Sequence, residues 1–116
     1  MLSEVSVHTN ANRTANSIAW PDEFVYASGR NLINGNKVSF YDSFIHAISS
    51  KKVGAKTVTV VGLDDGKLGV ENGSDRSEFK VDDLALTVVD VCEQGERVIA
   101  ANVSTGYFEM QLNDSV

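Results

Sequence analysis

The chain has one cysteine, one proline and no long apolar run. The single thiol, Cys92, cannot close a disulfide within the chain, and both histidines lie far from it in sequence, which excludes a disulfide scaffold and argues against a zinc finger. No stretch approaches the ~18–20 apolar residues that cross a bilayer, and residues 1–8 lack the basic start and apolar run of a secretory signal. These absences predict a cytoplasmic protein that does not associate with membranes.

The length and composition predict a single folded unit. The 116 residues are 42% hydrophobic and 22% charged, as in ordinary globular domains, and the sequence carries no obvious repeat or linker. We therefore interpret residues 1–116 as one domain. Residues 8–17 are the poorest in apolar side chains, and we interpret them as a loop or mobile arm.

The charge is distributed unevenly along the chain. Residues 1–56 carry a net charge of +2, whereas residues 57–116 carry −8. Such an acidic surface repels phosphates, which disfavours direct binding of nucleic acid. The charge has two interpretations: it serves solubility alone, or it attracts a basic partner.

One helix is predicted over about 40–51. Ser39 is a suitable N-terminal cap with Asp42 three residues later, and Lys51 and Lys52 fall where the helix dipole favours cations. A single apolar stripe recurs at intervals of three and four residues, formed by Phe40, Tyr41, Phe44, Ile45 and Ile48. The opposite side of this helix is polar.

The remaining pattern predicts β structure. Asn34-Gly35 indicates a tight type I′ hairpin turn. Strands are predicted in the second half over residues 56–63, 68–71, 77–81, 84–92, 97–103 and 107–112. Because the intervening loops are short, neighbouring strands are expected to be antiparallel. The predicted fold is therefore α+β, with one amphipathic helix packed on a curled, mainly antiparallel sheet of five or six strands.

One helix cannot cover both faces of such a sheet. Residues 84–92 and 97–103 place apolar side chains on both faces of adjacent strands, which predicts burial on two sides. Either the sheet curls around the helix, or a second copy covers the open face as a homodimer.

No catalytic pattern, cofactor motif or metal-ligand spacing emerges. The sequence contains no Gly-x-Ser-x-Gly motif of the kind that presents a catalytic serine. A calcium-binding EF-hand loop that began at Asp64 would lack the oxygen ligands and the glycine that it requires. The acidic Glu93 beside Cys92 is expected to raise the pKa of the thiol, which makes it a poor nucleophile. His46 and Asp42 would form only an exposed pair on one helix face. We therefore expect a protein that is not an enzyme and needs no cofactor.

The leading functional hypothesis is a small acidic binding protein that presents carboxylates to a basic surface of another protein. In the narrower form of this hypothesis, the protein is an inhibitor whose carboxylates imitate the phosphates of nucleic acid. Trp20 and Tyr26 are candidate aromatic contacts because large amphipathic rings are enriched in interfaces. The candidate carboxylates are Asp64, Asp65, Glu71, Asp75, Glu78, Asp82 and Asp83. One alternative is a structural subunit that self-associates through its β-sheet, and another is an enzyme whose site forms between subunits.

Overall fold

The computed structural model describes residues 17–19, 25–92 and 94–112, and this part of the chain is all-β. Eleven strands form three antiparallel sheets, with no helix among these residues. Sheet A consists of β1 (Ser17–Ala19), β2 (Val25–Ser28), β3 (Asn31–Asn34) and β4 (Lys37–Phe40), in that spatial order. The predicted arm at 8–17 lies outside the described residues except for Ser17, which begins β1.

Two further sheets follow in chain order. Sheet B consists of β5 (Ile45–Val53), β6 (Lys56–Leu63), β7 (Lys67–Asn72) and β8 (Asp75–Lys80). Sheet C has three strands, β9 (Val88–Val91), β10 (Arg97–Asn102) and β11 (Gly106–Gln111). Every pair is antiparallel and joins strands that are consecutive in the chain. The antiparallel pairing of consecutive strands within each sheet agrees with the sequence prediction, whereas the single curled sheet, with one continuous meander through residues 56–112, was wrong.

The predicted α+β class and the helix over 40–51 were also wrong. Phe40 ends β4, and Ile45 begins β5. A bulge near the start of β5 explains the misleading periodicity, because Ile45 pairs with Leu63 and Ala47 with the adjacent Gly62, which leaves one extra residue between them. This insertion lets Ile45 and Ile48 enter the same core although they are three residues apart. The bulge thus reproduces the helical spacing of Ile45 and Ile48, whereas the rest of the predicted stripe lies in β4 and in the connection before β5.

Four tight turns within sheets A and B have glycine in the first loop position. Asn34 pairs with Lys37, so the two loop residues are Gly35 and Asn36, one residue later than predicted. Gly35 has φ of 59°, and no described residue other than glycine has positive φ, which indicates a type II′ turn instead of type I′. Three other two-residue loops begin with a glycine of positive φ, namely Gly29, Gly54 and Gly73.

Sheet B is the middle layer and is buried on both faces. One core lies between sheets A and B and contains Val25, Ala27, Leu32, Tyr41, Ile45, Ile48, Val61 and Leu63. The other lies between sheets B and C and contains Val58, Val60, Leu68, Val70, Leu86, Val89, Val91, Val98 and Ala100. Residues 58–63 are therefore all buried, because successive side chains of β6 enter opposite cores.

The sheets converge at their first strands and separate at their outer strands. β5 contacts β1 and β2 of sheet A, and β9 contacts β5 and β6 of sheet B, while β4, β8 and β11 lie at the outer edges. This is the arrangement of consecutive blades of a β-propeller, in which four to eight sheets surround a central channel. The described part of the chain forms a three-blade arc.

Sheet C corrects the expectation of burial on two sides. Residues 84–87 precede β9 as irregular chain, and the strand covers only Val88–Val91. Val89 and Val98 are buried against sheet B, whereas Val88 (56% exposed) and Ile99 (41%) lie on the outward face. One face of sheet C therefore remains open to solvent.

Candidate protein-binding site

An apolar groove of about 470 Å³ lies where sheets B and C separate. On one side it is bounded by Phe79 and Lys80 of β8, and on the other by Phe108 and Met110 of β11. Its remaining lining is Leu68, Val81, Glu109, Gln111 and Leu112. The register places Phe108 and Met110 opposite Ala100 and Val98, so they belong to the face of sheet C that packs on sheet B. The groove therefore continues the B–C core outwards to the surface.

The open edge of β11 borders this groove. The Leu112 amide donates to the Glu96 carbonyl at 2.6 Å across the β10–β11 pair. Hydrogen-bonded pairs alternate in an antiparallel ladder, so residues 108 and 110 also bond to β10, and residues 107, 109 and 111 direct their amides and carbonyls away from it. Within the described residues, β10 is the one strand that pairs with β11. The edge thus presents three residues with backbone groups available to a further strand.

Sheet C also differs from its neighbours in strand number. Sheets A and B each have four strands, and sheet C has three among the described residues. A fourth strand beside β11 would lie across the groove from β8. The groove has the place and the apolar lining that such a strand requires.

Sequence reasoning identified part of this site. The strand predicted over residues 107–112 contains Phe108, Met110 and Leu112, and the structure places all three beside the groove. It missed Phe79, because the alternation of β8 does not reveal which strand of another sheet lies opposite. The strand count of sheet C also has no signal in the sequence.

Most of the candidate carboxylates are held by neighbouring groups. His46 Nε2 lies 2.8 Å from Asp64 Oδ1, so this histidine pairs across the sheet and not with Asp42. Asp65 accepts from the Lys67 amide at 3.2 Å. Glu78 lies 3.3 Å from Arg76 Nη2, and Asp83, itself almost fully exposed, lies 3.8 Å from Lys80 Nζ. Asp75 is exposed at the start of β8.

Glu71 lies inside the A–B interface instead of on the surface. Its Oε2 accepts from the Tyr41 hydroxyl at 2.6 Å, its Oε1 accepts from Ser39 Oγ at 3.1 Å, and Lys37 Nζ lies 3.5 Å away. The Arg76 guanidinium stacks 3.9 Å from the centre of the Tyr41 ring. Burial raises the pKa of the Tyr41 phenol above its ordinary value, and the hydrogen bond and charge of Glu71 add to that shift. We call Ser39, Tyr41 and Glu71 the buried polar cluster, and Lys37 and Arg76 border it from the exposed side.

Glycine at position 69 makes room for this cluster. A Cβ there would lie 2.7 Å from Tyr41 Cε1 and 2.6 Å from Val61 Cγ2. Both distances are shorter than side chains tolerate, so Tyr41 can reach Glu71 only because β7 has no side chain at this point.

Asp82 is bound to the β10–β11 turn. Its Oδ2 accepts from Thr105 Oγ1 and from Asn102 Nδ2, both at 2.8 Å. These bonds, with Thr105 contributing most and the Asp83 amide next, hold the pKa of Asp82 below its ordinary value. Asp82 therefore links the end of sheet B to sheet C.

The two candidate aromatic contacts have different outcomes. Trp20 lies outside the described residues. Tyr26 is half-buried in β2, where its partners in the register are Ile18 and Ile33. Val38 pairs with Ile33, so Tyr26 and Val38 share the face of sheet A that points away from sheet B.

Cys92 has an environment opposite to the expected one. Although partial desolvation acts to raise it, the backbone amides of Arg97, Glu96, Gln94 and Gly95 together hold the pKa of the Cys92 thiol below its ordinary value. The Arg97 amide donates to Sγ at 3.3 Å. The expectation that Glu93 raises this pKa was wrong, because the turn directs several amides at the sulfur.

Residues 17–19, 25–92 and 94–112 contain no group of three or more histidine, cysteine, aspartate or glutamate side chains placed to hold a metal ion. Over these residues no helix has the length and apolar character needed to span a bilayer.

Comparisons with known proteins show a likeness of fold. No family model matches the sequence, and no curated protein matches it. Among solved structures, the chain is similar to BBS1N, which was crystallised in complex with ARL6DN. The TM-score is 0.70 with 12% sequence identity over 90% of this chain, and the chain spans 39% of the length of the BBS1N chain. The backbone arrangement is thus shared with part of a larger protein.

Proposed function

We propose that this chain is a non-enzymatic protein-interaction module that binds an extended segment of a partner protein as a fourth strand of sheet C. The observation that carries this proposal is the apolar groove along the open edge of β11. Strand addition uses main-chain hydrogen bonds for affinity and side-chain pockets at alternate positions for specificity. The edge and the groove offer these two features side by side.

The backbone and the side chains have separate roles in this binding. Residues 107, 109 and 111 provide the amides and carbonyls for the new ladder, and each hydrogen bond is worth about 0.5–1.5 kcal/mol net. Alternate side chains of the bound segment enter the groove between Phe79 and Phe108. Apolar burial there contributes about 25 cal/mol per Å². A segment with apolar residues at every second position fits this geometry.

Charge favours a basic partner. Both groove strands belong to residues 57–116, which carry a net charge of −8. Asp83 and Glu109 are exposed in this region, so basic side chains on the outward face of the bound strand would be attracted to it. The expected partner segment alternates apolar residues with lysine or arginine.

The narrower inhibitor hypothesis, in which seven carboxylates imitate nucleic acid, has less support. Six of the seven have a hydrogen bond or ion pair within the chain, and Glu71 is buried. The seven carboxylates would therefore act through the long-range field more than through direct contact. The similarity to BBS1N, which was crystallised in complex with ARL6DN, supports a role in protein interaction. This support rests on the shared fold alone.

A displayed library of random eight-residue peptides tests the proposal. The library is selected on the full chain and on two variants, Glu109→Pro and Glu109→Ala. Proline removes the outward amide of residue 109 without removing a bond to β10, whereas alanine keeps that amide, and both lose the 3.9 Å ion pair with Arg97. We expect enrichment of alternating apolar and basic peptides that bind the alanine variant and bind the proline variant at least tenfold more weakly.

Two results would contradict the proposal. One is the absence of any enriched peptide. The other is equal binding of the enriched peptides to the alanine and proline variants. Circular dichroism of both variants confirms that the comparison is made on folded protein.

A further inference from the structure

The face of β8 that points towards sheet C changes in character along the strand. Phe79 lines the groove, and because side chains alternate in a strand, Ser77 and Asp75 lie on the same face. The register agrees, since Phe79 and Ser77 pair with Leu68 and Val70, two residues of the B–C core. This face of β8 is therefore acidic at the beginning of the strand and apolar near its end.

Asp75 is the one candidate carboxylate that has no partner within the described part of the chain. It is exposed, and no hydrogen bond or ion pair forms through its side chain among these residues. Lys80, the other charged residue of β8 at the groove, is engaged: its Nζ donates to the Asp65 carbonyl at 2.6 Å and lies 3.8 Å from Asp83 Oδ1. Asp75 is therefore available to pair with a cation on a bound segment.

The strand directions across the groove fix the order in which a bound segment meets these residues. Asp82 follows β8 and accepts from Thr105 in the turn before β11 at 2.8 Å, so the end of β8 lies beside the start of β11. The two strands therefore run in opposite directions. A segment that pairs antiparallel with β11, as all described strand pairs do, runs in the same direction as β8. It meets Asp75 first and Phe79 about 13 Å later, which is a separation of four residues.

We propose that Asp75 selects a lysine or arginine of the bound segment, four residues before the apolar residue that packs on Phe79. This inference rests on the proposed strand addition and deepens it, because one cation interrupts the apolar alternation on the groove side of the segment. Lysine and arginine suit this position, since their aliphatic stems pack on apolar surface while the charge stays at its edge. Leu112, just after β11, provides that apolar surface at this end of the groove. Asp75 thus sets both the register and the direction of the bound strand.

Selection of the displayed eight-residue library on charge-reversal variants tests this role. On the wild-type chain we expect a basic residue four positions before a large apolar one. On Asp75→Lys we expect aspartate or glutamate at that position instead. Glu78→Lys is the matched control: Glu78 lies on the opposite face of β8, 3.3 Å from Arg76, so the change in charge is the same and the wild-type pattern should persist. Asp75→Asn should weaken a wild-type-selected peptide about threefold, as expected for an exposed ion pair.

The outcomes separate this role of Asp75 from strand addition itself. Peptides that bind Glu109→Pro more weakly than Glu109→Ala, but carry no basic residue at the stated position, would overturn the role of Asp75 and leave strand addition in place. The same is true if Asp75→Lys selects the wild-type pattern, or if the basic residue follows the apolar one, as in a parallel segment. The absence of any enriched peptide would overturn both proposals. Circular dichroism of each variant establishes that folding is retained.

Discussion

The two faces of sheet B are buried in different ways. The B–C interface is apolar at its centre, with Val58 and Val60 facing Val89 and Val91. The A–B interface encloses Glu71, bonded to Tyr41 and Ser39. Apolar contacts stabilise without fixing direction, whereas a buried carboxylate is tolerated only when its donors are correctly placed. We therefore expect the B–C interface to contribute most of the stability, and the buried polar cluster to fix how sheet A sits on sheet B.

The largest expected effect tests the apolar interface. Leu86 is fully buried between sheets B and C. Leu86→Ala should lower the free energy of unfolding by about 3 kcal/mol, because it removes apolar contacts and leaves a cavity. Urea unfolding with an unchanged m-value measures this loss. A cost below about 1 kcal/mol would contradict the assignment of this interface as the main source of stability.

Tyr41→Phe tests the buried polar cluster. It removes the 2.6 Å donor to Glu71 and should cost about 1–3 kcal/mol, because a buried carboxylate oxygen loses its partner. The double variant Tyr41→Phe/Glu71→Leu should be less destabilised than the sum of its single variants, since it removes the acceptor together with the donor. Additive costs in urea unfolding would indicate that the two side chains do not act as a unit.

The same phenol predicts a loss of stability at alkaline pH. The pKa of Tyr41 in the folded protein is raised above its value in the unfolded chain, which is about 10. The contribution is therefore fully present below pH ~10 and is lost as the pH rises above it. Between pH 8 and pH 11 the wild type should lose more stability than Tyr41→Phe, as measured by urea unfolding. Equal losses would show that the phenol does not titrate differently on folding.

A smaller effect is expected at the perimeter of the B–C interface. The pKa of Asp82 is lowered on folding, so its contribution is present above pH ~4 and is lost as the pH falls through the folded value. Asp82→Asn should lower Tm at pH 7 and reduce the difference in Tm between pH 7 and pH 3. Thr105→Val, which removes one donor to the same oxygen, is the matched comparison. An unchanged Tm at pH 7 in both variants would rule out this link between sheets B and C.

The smallest expected effect concerns the chemical reactivity of the Cys92 thiol and leaves the stability of the fold unchanged. Because the turn amides lower the pKa of this thiol, its alkylation by iodoacetamide should reach half-maximal rate below the ordinary thiol value of about 8.5. Unfolding the chain in urea should move the midpoint back to that value. A folded-state midpoint above 8.5 would support the effect of Glu93 that the sequence suggested.

The sequence predicted local β structure better than it predicted how the strands assemble. The β-branched run at 56–63 became β6 with the predicted bounds, because short apolar runs between turn residues have few alternatives. The helix over 40–51 failed because a bulge after Ile45 mimics helical spacing, and nothing local distinguishes the two. Assembly into three sheets depends on contacts between distant strands, such as β5 with β9, which one sequence does not reveal. For the same reason Glu71 was taken for a surface group.

Amide hydrogen exchange of the free protein, resolved by NMR along β11, tests the open edge most directly. We expect the amides of Phe108 and Met110 to be protected by β10, and those of Tyr107, Glu109 and Gln111 to exchange rapidly. Addition of a selected peptide should protect the second group and leave the first unchanged. Slow exchange at residues 107, 109 and 111 without any ligand would mean that another part of the protein already occupies this edge, and strand addition would be excluded.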